Sequence, residues 1–374
     1  MNNEKQQVHF IIIGVLLAIF FFSCSNESFD EEKYELLLDD IIYLKPVDSL
    51  FFDFDSETRD LVNYYDNNYV ENRYGYHLFV DSNEIFNYVS IDSYNRLHIF
   101  NFKTYVHSYS EPICNCNIDA YKIDSEYLYV LCDSIFYIKD YNLKTLDYFS
   151  YKTPYLEEIN SIDFSVENES NLYKINEYFV VMYYVVNEIE DGSKLYSNTN
   201  KLFYFFNRDT SFFASEGCKE HLSSFHYFRF PAVASDGEYL YHTHRVMNCI
   251  SKSNEIATII NAEIEENDNY LSLEFSDQYE MSKLKKYRYS TDYNRNLYFS
   301  NEFVYLIKEI PVKIYYEDDI RKYELALKVI KFDKELTKIH TAYISERIYS
   351  FAYISDEKLF LFNIDNNKAL IYEI

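Results

Sequence analysis

A short unit recurs along the chain: a polar turn of Asp, Asn, Ser or Glu is followed at once by a strand of aromatic and aliphatic residues. Five clear copies and one looser copy occupy residues 124–131, 176–182, 235–241, 300–306, 355–361 and, more loosely, 93–100. Their central apolar residues are Leu128, Phe179, Leu240, Val304, Leu359 and Leu97. Self-similarity of this kind predicts stacked copies of one small supersecondary unit.

The composition favours β-structure. The chain has 42 Tyr and 31 Phe but only 5 Gly and 5 Pro, and aromatic side chains suit a pleated, half-buried surface. A second strand often follows the unit and ends at Asp or Asn, as in 135–140, 202–207 and 329–333. These residues tolerate turn conformations, so they can replace scarce glycine at the hairpin ends.

Six hairpin-rich units predict an all-β fold, a six-bladed β-propeller. The apolar segment 36–44 is expected to close the ring by adding a strand to the last blade. The alternative is two β-sandwich domains divided within 186–200, the most loop-like stretch of the chain. Helical periodicity is weak throughout, although a short helix is possible around 279–286.

The chain begins with the pattern of an export signal. Residues 10–22 form an apolar run that is shorter than the roughly 20 residues needed to span a bilayer, and Ser23 and Cys24 follow it. This predicts a lipoprotein signal peptide over 1–23, lipid attachment at Cys24, an acidic tether over 24–35 and a propeller domain over 36–374. An uncleaved anchor or a plain signal peptide is the alternative. Stable anchoring would need more than one acyl chain.

The acidic residues 25–32 resemble the stretch after the cysteine in surface-exported lipoproteins of the Bacteroidota type. The strand rhythm of the mature chain resembles the TolB-like six-bladed propellers of Bacteroidota envelope lipoproteins, which include a family of unassigned function. The resemblance implies a lipid-anchored protein of the outer membrane, exposed at the cell surface. The periplasmic face is the alternative location.

The net charge of −26 limits the partners. Acidic residues are scattered along the chain, and such a field repels nucleic acid and anionic lipid. We therefore expect no nucleic-acid partner. The membrane would be reached only through the N-terminal lipid.

The cysteines suggest an exported protein with few disulfides. With Cys24 as the lipid site, Cys218 and Cys249 are a conceivable disulfide pair. Cys132 lies in an apolar run and is expected to be a buried thiol. The close pair in 114–116 has no partnering histidine and does not predict a metal site. No cofactor is predicted.

The densest polar cluster lies in 226–245. His242 and His244 are two residues apart, so on a strand they lie on one side, as paired metal ligands would. Asp236 or His226 would complete a ligand-binding site, in which Arg229 or Arg245 clamps an anionic group. Two histidines on an accessible strand face, with Arg229 paired to a carboxylate, are the structural alternative.

No catalytic motif is found: both Gly-x-Ser-x-Gly and Gly-x-Gly-x-x-Gly are absent. The sequence therefore predicts a membrane-anchored binding or interaction module for a protein or glycan partner, rather than an enzyme. A glycan-active hydrolase or lyase on a propeller scaffold is the alternative, with the residues of the 226–245 cluster as its first suspects.

Overall fold

A computed structural model describes residues 41–67, 76–80, 86–92, 94–116, 118–124, 127–132, 135–151, 162–163, 172–187, 199–215, 231–244, 248–256, 258–264, 292–317, 320–345 and 349–374. Within them the chain forms 25 strands and one α-helix. The strands make six antiparallel sheets, each with four or five members.

These sheets are the six blades of a β-propeller, which confirms the predicted fold. Blade 1 contains β2 (Tyr76–Val80), β3 (Phe86–Ile91), β4 (Arg96–Asn101) and β5 (Val106–Pro112). Blade 2 contains β6 (Ile118–Ile123), β7 (Leu128–Cys132), β8 (Ile135–Lys139) and β9 (Thr145–Ser150). In blade 3, β10 (Ile162–Asp163) and β11 (Tyr173–Ile175) both pair with β12 (Tyr178–Asn187) and share the position of the first strand. The second strand is β12, and β13 (Thr199–Phe206) and β14 (Ser211–Ser215) are the third and fourth.

The second half of the chain continues the pattern. Blade 4 contains β15 (Pro231–Ser235), β16 (Leu240–His244), β17 (Cys249–Ser253) and β18 (Thr258–Glu263). Blade 5 contains β19 (Tyr293–Ser300), β20 (Phe303–Glu317), β21 (Ile320–Phe332) and β22 (Lys338–Ile344). Blade 6 contains β23 (Phe351–Ser355), β24 (Lys358–Asn363), β25 (Lys368–Glu373) and β1 (Asp48–Phe51).

Apolar side chains fill the space between consecutive blades. The Tyr129 ring of blade 2 packs at a tilt against that of Phe179 in blade 3, and the Tyr241 ring of blade 4 is parallel to that of Phe299 in blade 5. One of six buried clusters joins blade 6 back to blade 1, where the rings of Tyr88 and Phe351 are 5.1 Å apart. Burial of these aromatic faces stabilises the ring, because each blade alone leaves an apolar face uncovered.

The ring closes through β1, but not through the residues expected. β1 pairs with β25 from Asp48↔Ile371 to Phe51↔Lys368 and becomes the edge strand of blade 6. Of the predicted segment 36–44, residues 36–40 lie outside the described residues, and Tyr43 makes a single parallel bridge to Tyr343 of blade 5. The prediction of an early strand on the last blade is therefore confirmed, whereas its position is corrected.

The alternative of two sandwich domains divided within 186–200 is excluded by the strand pairing. Residues 188–198, which fall in the proposed linker, connect β12 and β13, and these strands pair from Val186↔Thr199 to Phe179↔Phe206. The chain does divide into two compact units elsewhere: residues 1–41 with 312–324, and residues 42–311 with 325–374. In the first unit the described residues are Ile41 and the distal parts of β20 and β21. The second contains the rest of the six blades.

The structure also contains a helix that was not predicted from the sequence, α1 (Ser56–Asn67). Asp55 caps it, because its Oδ1 accepts a hydrogen bond of 2.7 Å from the backbone N–H of Thr58. That hydrogen bond lowers the pKa of the Asp55 carboxyl. No helix in the described part of the chain is long and apolar enough to cross a membrane. The helix suggested around 279–286 lies outside the described residues.

The two edges of each blade are built differently. We call the edge with the first-to-second and third-to-fourth strand connections the short-turn end, and the opposite edge the long-connection end. Short-turn connections open on Asp or Asn: Asp333 Oδ1, for example, accepts hydrogen bonds from the N–H groups of Glu335 and Thr337. Leu336 in this turn and Asn301 in another have positive φ angles of 60° and 48°. Such turns replace glycine with residues held in the left-handed region.

The long connections between strands lie at the long-connection end, which also contains several short connections. They are residues 52–75, 151–161, 188–198, 216–230 and 264–292. Adjacent blades share the orientation, since Asn176 N–H donates to Gly237 O between the short turns of blades 3 and 4, and Asn301 Nδ2 donates to Asp356 Oδ1 between those of blades 5 and 6. Loops carried by a rigid scaffold are where binding groups concentrate.

Candidate functional site

A β-bulge interrupts the first strand of blade 5 at its long-connection end. Asn294 pairs with Lys308 and Asn296 pairs with Ile307, so Arg295 is an extra residue in β19. Bulges re-aim side chains and are common beside functional sites. The Arg295 guanidinium lies 4.7 Å from the centre of the Tyr349 ring, and about a third of the side chain (32%) is exposed.

Charged side chains surround the bulge. Glu309 Oε2 is 3.9 Å from Arg295 Nη1, and Lys308 Nζ is 3.1 Å from Asp292 Oδ2. Asp292, Lys308 and Glu309 are all buried. Buried ions are tolerated only when they are paired and hydrogen-bonded, so this balanced arrangement holds two cations and two carboxylates in fixed positions.

Neighbouring blade 4 contributes polar groups to the same place. Buried Asn294 donates from Nδ2 to Thr243 Oγ1 at 3.2 Å, and Thr243 Oγ1 donates to the carbonyl of Cys249 at 2.6 Å. We define the β19 cluster as Asp292, Asn294, Arg295, Lys308 and Glu309. Its chemistry suits a polar ligand: Arg295 supplies planar N–H donors beside the aromatic face of Tyr349.

A second polar cluster begins with Asp92 at the long-connection end of blade 1 and extends along β4 to His107 of β5, which lies next to the short-turn connection. Asp92 Oδ1 accepts from the N–H groups of Tyr94 and Arg96, while its Oδ2 accepts from Arg96 Nε and lies 3.1 Å from His98 Nε2. His98 Nδ1 is in turn 2.9 Å from His107 Nε2. The three groups Asp92, His98 and His107 therefore form one hydrogen-bonded chain.

Burial governs the protonation of this chain. Burial lowers the pKa of His98 and outweighs the attraction of Asp92, while burial and the neighbouring His98 lower the pKa of His107. Burial would raise the pKa of Asp92, but the hydrogen bonds from Arg96 and His98 more than offset it and leave that pKa below its usual value. The neutral histidines and the carboxylate are thus the favoured forms.

Exposed aromatic rings flank the blade 1 cluster. The Arg96 guanidinium lies 5.2 Å from the centre of the Tyr94 ring and 5.1 Å from that of Tyr109. Tyr94 is 70% exposed and Tyr109 is 64% exposed. Exposed aromatic rings with a cation between them form a contact surface at the end of the blade where the long connections lie.

Most of the predicted site residues lie outside the described residues. These are Cys24, His226, Arg229 and Arg245. His242 and His244 both belong to β16, as expected. His242 is buried, with Nε2 3.0 Å from Ser253 Oγ and its ring 4.8 Å from that of Phe203. It thus packs between blades 3 and 4 rather than on an accessible strand face.

The cysteines differ from expectation in one respect. Cys132 is buried, but it forms a disulfide with Cys116 and is not a thiol. Cys249 is also disulfide-bonded. Cys218, the partner that the sequence suggests for it, lies outside the described residues. Within the described ranges, Cys114, Cys116 and Cys132 are the group of potential metal ligands that lie together, and two of their sulfur atoms are bonded to each other.

No family model and no curated protein matches this chain. A solved member of the DUF4221 family from Bacteroides vulgatus ATCC 8482 is similar over 88% of this chain and 96% of its own, at 11% identity and a TM-score of 0.50. A luciferin-regenerating enzyme (79% and 89% covered, 8% identity, TM-score 0.39) and a chain of a mitotic checkpoint complex (90% and 94%, 10%, 0.39) are more distant. The first likeness supports the propeller fold, and at such identity it shows the fold alone.

Proposed function

We propose that this chain is a lipid-anchored envelope protein with a TolB-like propeller, which binds a protein or glycan partner at its long-connection end. Cys24 carries the lipid, the acidic segment 24–35 is the tether, and the protein is displayed on the outer membrane at the cell surface. The function is binding, and the chain holds its partner without chemical turnover.

The contrast between the two ends of the blades carries this proposal. Short-turn connections are filled by side-chain-to-backbone hydrogen bonds within the turn, such as those of Asp140 Oδ1 with the N–H groups of Asn142 and Lys144. The β19 cluster, the Asp92 end of the blade 1 cluster and the exposed ring of Tyr94 all belong to the opposite end. A propeller that concentrates its long connections at one edge is built to present that edge to a partner.

The β19 cluster supports a polar partner. Arg295 is held by the bulge and by the Tyr349 ring, so little side-chain entropy is lost when it donates to a ligand oxygen. Hydroxyl and carboxylate oxygens of glycans, or carbonyl oxygens of a protein loop, are acceptors of the right kind. Discrimination between them depends on the long connections.

Binding is tested with Arg295→Ala against a matched surface variant. Arg208→Ala is the control, because Arg208 pairs with exposed Asp147 and lies at a short-turn connection. A panel of bacterial and host glycans and a cross-linking search in native envelopes would identify the partner. The proposal expects Arg295→Ala to weaken binding at least about tenfold while Arg208→Ala leaves it unchanged. Equal effects, or turnover of a bound glycan, would contradict it.

The anchor is tested separately. Metabolic labelling with a fatty-acid analogue should mark the wild-type protein and not Cys24→Ala, and protease added to intact cells should digest only the wild type. Labelled protein that resists protease would indicate the periplasmic face. Absence of label would overturn the lipid anchor.

A further inference from the structure

The sulfur atoms of three cysteines lie close together where blade 1 connects to blade 2. Cys116 and Cys132 form a disulfide, and the Sγ of Cys114 lies 3.1 Å from the Sγ of Cys132. That separation is about 1 Å longer than a covalent S–S bond of about 2.05 Å. All three sulfur atoms are within 4.8 Å of one another, and Cys114 remains a thiol.

Hydrogen bonds fix the backbone around Cys114 and Cys116. Asn95 Nδ2 donates to the carbonyl of Cys114 at 3.2 Å and to that of Cys116 at 2.7 Å. Asn95 O also accepts from the N–H of Ile113 at 2.8 Å. One asparagine therefore holds both cysteines beside Cys132, so that side-chain rotation can change which sulfur atom approaches it.

The surroundings separate the roles of the three residues. Cys132 is buried at the end of β7 and is 0% exposed, whereas Cys114 and Cys116 are half-buried on the connecting segment. The ammonium group of Lys139 attracts a Cys114 thiolate, which is the reactive form. A thiolate attacks a disulfide sulfur directly, without an oxidant.

We propose that these residues form a thiol–disulfide exchange site in which Cys114 and Cys116 alternate as the partner of Cys132. The Cys114 thiol loses its proton to solvent, and its thiolate attacks Cys132 Sγ. The Cys114–Cys132 bond forms as the Cys116–Cys132 bond breaks, and Cys116 leaves as a thiolate that takes a proton from solvent. One disulfide and one thiol are present before and after, so the electrons balance.

This exchange makes the connecting segment a modification site for thiol-reactive ligands. The thiol alternates between two positions of one surface segment, whereas the buried Cys132 is always in the disulfide. Electrophiles should therefore react with Cys114 or with Cys116, but not with both in one molecule. This inference is independent of the proposed binding function.

The test is alkylation of the folded, full-length protein with iodoacetamide, followed by acid quenching and peptide mass spectrometry. With exchange, the label appears on Cys114 in some molecules and on Cys116 in others, and Cys132 is unlabelled. The control variant Cys114→Ser should lose the label at Cys116 as well, because nothing displaces it. Label confined to Cys114 in the wild type, or label on Cys116 in Cys114→Ser, would overturn the proposal.

A second variant tests the alternative bond directly. Cys116→Ala is reduced, reoxidised with glutathione disulfide, and compared with Cys114→Ala treated in the same way. Both should regain one disulfide to Cys132 and the same cooperative thermal transition. If Cys116→Ala folds but, when denatured without reductant, leaves Cys114 and Cys132 both open to alkylation, Cys114 cannot reach Cys132 and the exchange is excluded.

Discussion

The Nζ of Lys308 lies 3.1 Å from the Oδ2 of Asp292, and the Lys308 side chain is entirely removed from solvent. A buried ammonium that loses this carboxylate keeps its desolvation cost without the attraction that the carboxylate supplies. Asp292→Asn should therefore lower the free energy of unfolding by about 3–5 kcal/mol. Urea denaturation would measure it.

Two variants show whether charge is the cause. Lys334→Met removes the exposed pair with Glu302 and should cost at most about 1 kcal/mol. The double change Asp292→Leu with Lys308→Met should recover most of the loss, because both charges of this pair are then removed together. If the double variant is as unstable as Asp292→Asn, packing and not the charge pair stabilises this site.

Acid should destabilise the protein through the blade 1 histidines. The folded-state pKa values of His98 and His107 lie below the ordinary value of 6.5. As the pH falls through 6.5 towards the folded-state values, the unfolded chain takes up protons that the folded chain does not, so stability falls with pH. The free energy of unfolding, measured from roughly pH 8 to 5, should decline in that window.

Substituting one of the two histidines, His98 or His107, should make the free energy of unfolding depend less on pH. His107→Gln removes one titrating group and also the like-charge neighbour of His98. An equal slope in wild type and His107→Gln would show that the pair does not govern the acid response.

Glycine substitutions at two equivalent turn glutamates should change stability in opposite directions, because the backbone is left-handed at only one of them. Glu302 has φ 69°, and Glu177, in the matching turn of blade 3, has no positive φ. Glu302→Gly should raise the free energy of unfolding by about 0.5–1 kcal/mol, because glycine relieves the strain. Glu177→Gly should lower it by about the same amount, since there glycine adds only chain entropy. Effects of the same sign at both positions would refute this explanation.

Strand β1 should be essential to the closed ring. A chain starting at residue 53 lacks β1 and the buried Phe52, whose ring lies 5.0 Å from that of Phe102. It should lose at least about 3 kcal/mol of stability, measured by thermal and urea unfolding. A chain starting at residue 42 keeps these contacts and should be more stable than the shorter chain by this amount. Equal stability of the two truncated chains would contradict the closure.

The turn-and-strand unit predicted most of the blade order. In blades 2 to 6 the anchors Leu128, Phe179, Leu240, Val304 and Leu359 all lie on the second strand. In blade 1 the anchor Leu97 lies on the third strand instead, while residues 81–84 (Asp-Ser-Asn-Glu) precede β3 as a true copy. The confusion has a physical reason: Asp92 accepts backbone N–H groups in the same way as Asp124 does, so turn chemistry does not identify the blade edge.

The candidate site was much less accessible to sequence reasoning. Asp292 and Lys308 are far apart in the chain, and only the register of β19 with β20 brings them together. The bulge at Arg295 has no glycine or proline to mark it. The Cys116–Cys132 bond likewise depends on the pairing of β6 with β7, which places Ile118 opposite Cys132.

We propose that the partner binds at the long-connection end, and cross-linking from that end tests this. The most direct measurement introduces the photoreactive residue benzoylphenylalanine in place of Tyr94, which is 70% exposed at that end, or of Tyr141, which is 40% exposed at the short-turn end of blade 2. After irradiation of native envelopes, we expect a defined adduct with a protein or a glycan from position 94 and no adduct from position 141. An adduct from position 141 alone, equal adducts from both, or none from position 94 would contradict it.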